Sequence, residues 1–350
     1  MKDIPSLAAL ALEAKNKGAR ALRVFPGEAT QYLVNNSWKP IQAPLFSAVE
    51  RQSLLLPLLN HEERQTLEES GVVEKFIRHT SLLARVMFVL RNEEWGAQLS
   101  WQNEKELRLA DWSVPPFLIE KLQRQNGFNL IFGPPLSGKS SLRRLLMDKL
   151  TEMKRDCVLY CDQPEFSRDD FSFPAASLLG TNLPLHSLLF VDSDQEEVQR
   201  KALQLAFEGN SVVLAMRSRS LPTALFRLLK VAQTDDEIFW ASISESFVSA
   251  LGVRLVPGLE SSVGGAATGA RLQPTFELLV DTPEAKDCLR QGTVFRLVEI
   301  MSKGGDTSGM RTLNQALLQL LIKRRIELRV GFDESPKPQE LDHLLRDVGV

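Results

Sequence analysis

One ten-residue run, FGPPLSGKSS at 132–141, constrains the fold of this 350-residue chain more than any other feature. It follows the apolar segment FNLIFG, which we predict to be a buried strand, and it leads into SSLRRLLMDKL, which we predict to be a helix. Gly133, Gly138, Lys139 and Ser140 fit the pattern G-x-x-x-x-G-K-[ST]. A chance glycine-rich turn is a poor explanation for a pattern that lies between a strand and a helix.

The physical chemistry of such a loop is specific. Glycines let backbone N–H groups turn inward around a phosphate, and the following helix presents its positive N-terminus to the same charge. In this arrangement Lys139 reaches the β- and γ-phosphates of a nucleotide, and the Ser140 hydroxyl is a ligand for Mg²⁺. The candidate nucleotide-binding residues of the loop are Gly133, Pro134, Pro135, Leu136, Ser137, Gly138, Lys139, Ser140 and Ser141.

A second segment, SLLFVDS, supplies a candidate metal ligand. Its apolar residues predict a buried strand, and Asp192 ends that strand at the edge of the sheet where the loop lies. The carboxylate is placed to hold Mg²⁺ through water, together with Ser140. The alternative is an ordinary aspartate at the end of a strand.

Composition excludes several other classes of protein. Apolar residues make up 43% of the chain and charged residues 25%, as in a globular protein in water. The net charge of −2 gives no general attraction to nucleic acid or to an anionic membrane. Because Glu13 and Lys15 interrupt the apolar N-terminal stretch, we interpret it as an amphipathic helix rather than a signal peptide, and we expect a cytoplasmic protein.

Cysteine and histidine do not indicate a metal centre. Cys157, Cys161 and Cys288 are odd in number and form no paired CxxC set, so neither a disulfide framework nor a four-cysteine zinc site is expected. The four histidines are scattered along the chain without metal-ligand spacing.

The pattern of predicted elements divides the chain in two. Residues 1–108 predict a small α+β domain, 109–118 a linker with two prolines, and 119–350 a nucleotide-binding domain. In the second part, strands alternate with helices, which predicts a parallel, doubly wound sheet. Residues 261–270 have the composition of a flexible loop. We expect a largely helical stretch from Glu284 to Ile326 and a loose, charged segment over the last dozen residues.

Several longer segments resemble those of a known family, the type IV pilus and secretion ATPases, and most closely the twitching-motility retraction ATPases of the PilT type. The resemblance covers nearly the whole chain. It is carried by KNKGARALRVFPGEATQYLVNNSWKPI, by WSVPPFLIEKL before the loop, by ISESFVSALGVRLVP at 243–257, and by 282–321. The last segment contains an A-I-R-A-G-G-like motif at 284–293 and G-M-x-T-x-x-Q-A-L at 309–317. The four-cysteine metal site of extension-type relatives is absent, which favours the retraction-like branch.

This resemblance implies an α/β architecture, with a small PAS-like α+β N-terminal domain, a RecA-like P-loop NTPase domain and a C-terminal helical segment. It also implies ATP or ADP and Mg²⁺ as cofactors, and a homo-hexamer or a hetero-assembly with a related motor ATPase. The implied partner is the inner-membrane platform protein of a pilus or secretion system, which would bring a cytoplasmic protein to the inner membrane as a peripheral protein. Nucleic acid is not an implied partner.

The residues that carry catalysis in the family differ here. Its acidic box, Glu-Asp-Pro-x-Glu-Phe, begins with the glutamate that activates water, and the matching stretch is CDQPEF, with Cys161 at that position. A thiol, with an ordinary pKa of about 8.5, is a poor substitute for a positioned carboxylate. Asp162 or Glu165 could rescue the role from a displaced position.

Three further positions depart from the family. In the family, the metal-site strand ends in Gly-Glu, and Asp192 stands at the position of that glutamate. Aspartate keeps the carboxylate on a side chain that is one methylene shorter. Arg217 replaces the histidine of the family's Thr-Leu-His-Thr box, and arginine can only donate hydrogen bonds. Arg217 could contact a γ-phosphate or a neighbour's acidic residue, or form a surface ion pair. In the N-terminal domain Arg85 is kept among the arginines that the family presents to phosphates, whereas Met87 stands where a second one would be.

Two functions follow from these observations. The first, which the changed residues favour, is a pseudo-ATPase that binds nucleotide and regulates or joins a true motor. The second is a slow but active hexameric ATPase that drives pilus retraction or secretion. A small-molecule kinase is disfavoured because no acceptor-site signature accompanies the loop.

Overall fold

The computed structural model describes residues 6–19, 21–34, 37–41, 45–79, 82–101, 108–162, 172–180, 187–259, 272–304 and 309–349. The chain forms two compact units, Met1–Glu106 and Leu107–Val350. The segment predicted as a linker, 109–118, contains the 3-10 turn Leu109–Trp112, and Trp112 is buried in the core of the second unit. The flexible loop predicted at 261–270 lies outside the described residues.

The smaller unit is an antiparallel sheet with helices beside it. Its described elements are α1 (Leu7–Asn16), β1 (Ala21–Val24), β2 (Gln31–Val34), β3 (Ser37–Pro40), α2 (Ala48–Leu55), α3 (His61–Ser70), β4 (Val72–His79), β5 (Leu82–Arg91) and β6 (Glu94–Ser100). The strands are ordered β3-β2-β1-β6-β5-β4. Each helix begins where a side chain caps it: Ser6 precedes α1, and capping boxes at Ser47 and Asn60 open α2 and α3.

The α+β organisation predicted for this unit agrees with the structure, but the sequence pattern of β4 is weak. β4 is an edge strand that pairs only with β5 among the described strands. Its charged residues, such as Glu74 and Lys75, weaken the alternation that identifies a strand, and charged side chains are common on sheet edges because they discourage further pairing. The edge position of β4 therefore explains why its alternating pattern is hard to recognise in the sequence.

The larger unit contains the phosphate loop. Its strands are β7 (Gly127–Gly133), β8 (Cys157–Cys161), β9 (Ser172–Pro174), β10 (Leu188–Asp192), β11 (Ser211–Arg217), β12 (Phe247–Pro257) and β13 (Leu272–Val280). Its described helices are α4 (Pro116–Arg124), α5 (Lys139–Glu152), α6 (Glu196–Phe207), α7 (Leu221–Ala232), α8 (Asp236–Ser246), α9 (Pro283–Arg290), α10 (Arg296–Lys303), α11 (Leu313–Ile322), α12 (Leu328–Glu334) and α13 (Pro338–Asp347).

The described strands of this unit form one sheet in the order β13-β12-β7-β11-β10-β8-β9. Pairing is parallel from β12 to β9, and β13 is antiparallel at one edge. The central strands β7, β8, β10 and β11 are almost wholly buried, because helices such as α5 and α6 pack on them. The predicted parallel sheet with alternating helices is confirmed.

The C-terminal helices have a small core of their own. Leu317 and Leu321 of α11 pack with Leu341 and Leu345 of α13, and Val256 of β12 joins the same cluster. The prediction that the last dozen residues are loose is therefore wrong. Two leucines four positions apart give this charged segment one apolar stripe, which is enough to hold a helix against α11.

None of the described helices is long and apolar enough to cross a bilayer.

Candidate functional site

The parallel register brings the predicted site residues to one edge of the sheet. Cys161 at the end of β8 lies opposite Asp192 at the end of β10, and Arg217 at the end of β11 lies opposite Gly133 at the end of β7. Since carboxyl ends of parallel strands meet at the same edge, residues distant in sequence become neighbours here. This is the edge at which open α/β sheets bind their ligands.

Close packing explains the two glycines of the loop. A Cβ on Gly133 would lie 2.7 Å from the backbone oxygen of Val253. Gly138 has a φ of +91°, and a Cβ there would lie 2.9 Å from both Leu255 and Trp112. Strand β12 and the 3-10 turn before α4 therefore hold the loop in a shape that only glycine permits at these positions.

Leu136 at the tip of the loop is a residue whose conformation the sequence did not indicate. It has a φ of +62°, in the left-handed region, and its side chain is 96% exposed. A left-handed backbone is strained for a residue with a Cβ. The loop thus carries local strain together with an apolar side chain in water.

Lys139 begins α5 and is buried against the loop that precedes it. Its ammonium group donates hydrogen bonds to the backbone oxygens of Gly133 and Pro134, both at 3.0 Å. Burial lowers the pKa of the Lys139 ammonium group, and the negative charge of Asp192 works against that shift. The first N–H groups of α5, a 14-residue helix, have no partners within the helix, so they and the lysine form a positive site for an anion.

Asp192 is engaged by α5 from two positions. The Ser140 hydroxyl donates to Asp192 Oδ2 at 3.4 Å, as expected for the predicted pair. Arg143, one turn further along α5, donates from Nη1 to the same oxygen at 2.7 Å. The Arg143 side chain is completely buried, whereas Asp192 is 27% exposed, so the ion pair joins the core to the edge of the sheet.

The fit of this arrangement to Mg²⁺ is poor. Mg²⁺ at such sites is bound by one or two carboxylates together with phosphates and waters, so it requires a carboxylate that is open to the ion. Arg143 already balances the charge of Asp192, the carboxylate predicted for this role. Within the described part of the chain, no three His, Cys, Asp or Glu side chains are grouped as a metal site. The metal role of Ser140 and Asp192 remains a prediction.

Arg143 was not predicted as a site residue, although the sequence contains a signal for it. Lys139, Leu142, Leu146 and Leu150 follow helical spacing along the buried side of α5, and Arg143 lies on the same stripe. An arginine on an apolar stripe needs an internal acidic partner. Searching for that partner among the strand-ending aspartates would have led to Asp192.

Asp162, proposed as a displaced base, is held by the loop after β10. Its Oδ1 accepts from Ser193 Oγ at 2.6 Å and from Gln195 Nε2 at 2.9 Å, and its Oδ2 accepts from the backbone N–H of Asp194 at 2.7 Å. Both oxygens are therefore engaged in fixing the chain beyond Asp192.

The acidic-box equivalent is only partly described. Cys161 is buried, with 3% of its surface exposed, at the end of β8. Glu165, the other candidate for a displaced base, lies outside the described residues.

Arg217 forms a surface ion pair, which was one of the three roles considered for it from the sequence. Its Nε lies 3.1 Å from Asp194 Oδ2, and the two side chains are 63% and 48% exposed. Arg227 donates to the backbone oxygen of Arg217 and steadies the end of β11. The guanidinium is therefore at the loop edge of the sheet, bound to an aspartate of the same chain.

Arg85 lies on β5 of the smaller unit. Its guanidinium pairs with Glu74 on β4, with Nη2 donating to Oε2 at 2.7 Å. About half of its side chain is exposed, and a role in binding phosphate remains a prediction for this residue.

The phosphate-loop sequence and the parallel sheet define a RecA-like P-loop fold in the larger unit, and the smaller unit is an α+β fold. No family model matches the chain. It is 23% identical over 355 residues to the type IV pilus retraction ATPase PilT of Pseudomonas aeruginosa, covering 96% of this chain and 99% of that protein. It is 20% identical to the type IV pilus ATPase PilU of the same organism, covering 94% and 88%.

Solved structures show the same fold. The crystal structure of the pilus retraction motor PilT with bound ADP superposes with a TM-score of 0.80 at 19% identity, covering 97% of this chain and all of that one. The ATPase DotB of Legionella pneumophila gives a TM-score of 0.72 at 18% identity, covering 95% and 97%. The chain is similar over nearly its whole length to the pilus ATPases PilT and PilU, and it has the fold of PilT, which confirms the resemblance seen in the sequence.

Proposed function

We propose that this protein is a nucleotide-binding member of a pilus or secretion motor that hydrolyses ATP weakly or not at all. In this role it acts as a regulator of a true motor ATPase or as a partner in its ring. ATP or ADP occupies the phosphate loop and supports the fold or the assembly of the subunit. The whole-length similarity to PilT and PilU supports the connection with a motor.

One observation carries the proposal against hydrolysis. The position of the expected base holds the buried thiol of Cys161, and the neighbouring carboxylate of Asp162 has both oxygens bound by the loop at 193–195. To activate water, Asp162 would have to break the contacts that fix this loop. Loss of a general base costs about 10²–10⁴-fold in rate.

The phosphate loop supports nucleotide binding independently of hydrolysis. Lys139 and the N-terminus of α5 supply positive charge, and the loop glycines are required by close packing rather than by chance. A protein that keeps this site while its base is replaced retains the means to hold a nucleotide and lacks the means to cleave it.

The proposed partners follow from the relatives. Assembly into a ring with copies of itself or with a related motor, and contact with an inner-membrane platform protein, would place the chain peripherally at the inner membrane from the cytoplasmic side. Both proposals rest on the similarity over nearly the whole chain.

Phosphate release from ATP by the purified protein tests the proposal, with Lys139→Ala as the control. We expect both proteins to release phosphate at the same background rate, while a fluorescent ADP analogue binds the wild type and not the variant. Phosphate release that is clearly above background and disappears in Lys139→Ala would refute the pseudo-ATPase.

The alternative is a slow hexameric ATPase that drives retraction or secretion. The specific observation in its favour is that the fold of the retraction motor is retained across both units, with 97% of the chain covered. Cys161→Glu separates the two views, with Cys161→Ser as the matched variant that adds no carboxylate. A rate gain of about 10²-fold in the glutamate variant alone identifies the missing base as the limit. An unchanged rate in a folded variant means that other altered residues limit the reaction as well.

A further inference from the structure

The ion pair between Arg143 and Asp192 is the most unusual feature of the candidate site. Arg143 Nη1 lies 2.7 Å from Asp192 Oδ2, and the arginine side chain has no exposed surface. Asp192 is 27% exposed at the edge of the sheet, and it accepts from Ser140 through the same oxygen. Both donors lie on α5, and both reach the same oxygen of Asp192.

A buried guanidinium holds its acidic partner more strongly than an exposed one does. Arginine stays charged at all relevant pH values, and moving its charge out of water is costly unless a carboxylate compensates it. Drawing Asp192 toward a divalent cation would weaken this compensation. The cation would also experience the repulsion of the Arg143 guanidinium, which lies 2.7 Å from the same carboxylate.

Two other described carboxylates at this edge also have partners within the chain. Asp194 pairs with Arg217 at 3.1 Å. Asp162 accepts three hydrogen bonds from the loop at 193–195. The acidic groups that could attract a cation beside the phosphate loop are thus balanced by arginines or by hydrogen-bond donors.

Positive charge for a phosphate comes instead from the chain itself. Lys139 and the first N–H groups of α5 face the loop, and Arg254 is near enough to act on the charge of Lys139. These groups compensate phosphate charge without a bound metal.

We propose that Arg143 neutralises Asp192 in place of a divalent cation, so that this chain binds a nucleoside diphosphate without needing magnesium. The inference rests on the proposed nucleotide-binding function and makes it more specific. It assigns to Arg143 a positioning role, exerted through Asp192 rather than by contact with the nucleotide.

The test is a titration of the intact protein with a fluorescent ADP analogue, once in excess Mg²⁺ and once in EDTA. For the wild type we expect the two dissociation constants to agree within about twofold, and a preference for magnesium of about fivefold or more overturns the proposal. Failure to bind in either buffer refutes nucleotide binding itself, and so this outcome is distinct from a magnesium preference.

Arg143→Leu tests the cause. Removing the guanidinium leaves Asp192 uncompensated, and the variant should bind at least about fivefold more tightly in Mg²⁺ than in EDTA. Arg144→Leu is the matched control, because it removes the same group from the next position of α5 and should keep the ratio of the wild type. If folded Arg143→Leu protein shows no preference, Arg143 does not set the magnesium dependence and the proposal is wrong. If this variant does not fold, the ratio of the wild-type dissociation constants in Mg²⁺ and in EDTA is the test of the proposal.

Discussion

Replacing Glu277 with glutamine should change how the stability of the larger unit depends on pH. Glu277 lies on β13 opposite Gly252 of β12, and a Cβ on that glycine would lie 2.5 Å from Glu277 Oε1. Burial raises the pKa of Glu277 from 4.5 to about 7, and the nearby positive charge of Arg254 offsets part of that rise. The Arg254 guanidinium donates to the backbone oxygens of Val253 and Arg219.

The magnitude follows from the two pKa values. A carboxyl group whose pKa rises on folding contributes its full stability below the unfolded value of 4.5, and it loses that contribution as the pH rises through about 7. At 1.36 kcal/mol per pH unit the loss is at most about 3 kcal/mol, since partial exposure of the side chain lets water relieve some of it. Glutamine cannot ionise and has no such loss. The variant should therefore gain stability relative to the wild type between pH 4.5 and 7.5, and the difference should then level off.

Urea unfolding followed by tryptophan fluorescence, at a series of pH values from 4 to 9, measures this difference. Glu245→Gln is the matched control, because Glu245 is exposed on α8 and its replacement should give a curve nearly parallel to that of the wild type. Parallel curves for Glu277→Gln and the wild type across the whole range would refute the inference that the pKa of Glu277 is raised in the folded protein.

Two further predictions concern the phosphate loop. Leu136→Gly should remove left-handed strain of about 1 kcal/mol or more, partly offset by a more flexible unfolded chain, and thus raise the thermal midpoint. Leu136→Ala keeps the strained φ, and an equal gain in that variant would contradict the explanation. Gly138→Ala should destabilise the protein by about 1–3 kcal/mol more than Gly209→Ala. Gly209 has a similar φ of +92° but open space around its Cα, whereas a Cβ on Gly138 would meet Leu255 and Trp112. Equal losses in urea unfolding would show that packing against the loop contributes nothing.

The sequence was sufficient to predict the central strands of the larger unit and the phosphate loop between them. The pattern around Gly133 and Lys139 predicted a strand, a loop and a helix, and β7 and α5 have these positions. The apolar run that ends in Asp192 predicted a buried strand of a parallel sheet, and β10 is such a strand. Such features are predictable because buried parallel strands are continuous apolar runs and the loop requires particular residue types.

The remaining features depend on contacts between distant segments. Asp162 is held by Ser193, Asp194 and Gln195, about thirty positions away, and no local pattern identifies that partnership. The pairing of Arg143 with Asp192 likewise joins a helix to a strand. A sequence pattern shows that a side chain is charged, whereas its partner depends on how the elements pack.

The position of the Lys139 ammonium group has a consequence for every ligand of the loop. The Lys139 ammonium group already donates hydrogen bonds to the backbone oxygens of Gly133 and Pro134. An entering phosphate would compete with these two oxygens for the same ammonium group. The affinity for any anion then depends on the hydrogen bonds that the anion gains, less the hydrogen bonds that Lys139 gives up within the loop. A small anion replaces these bonds with few new ones, whereas a diphosphate gains further contacts along the N-terminus of α5. We therefore expect a longer phosphate chain to bind this loop more tightly than a single phosphate.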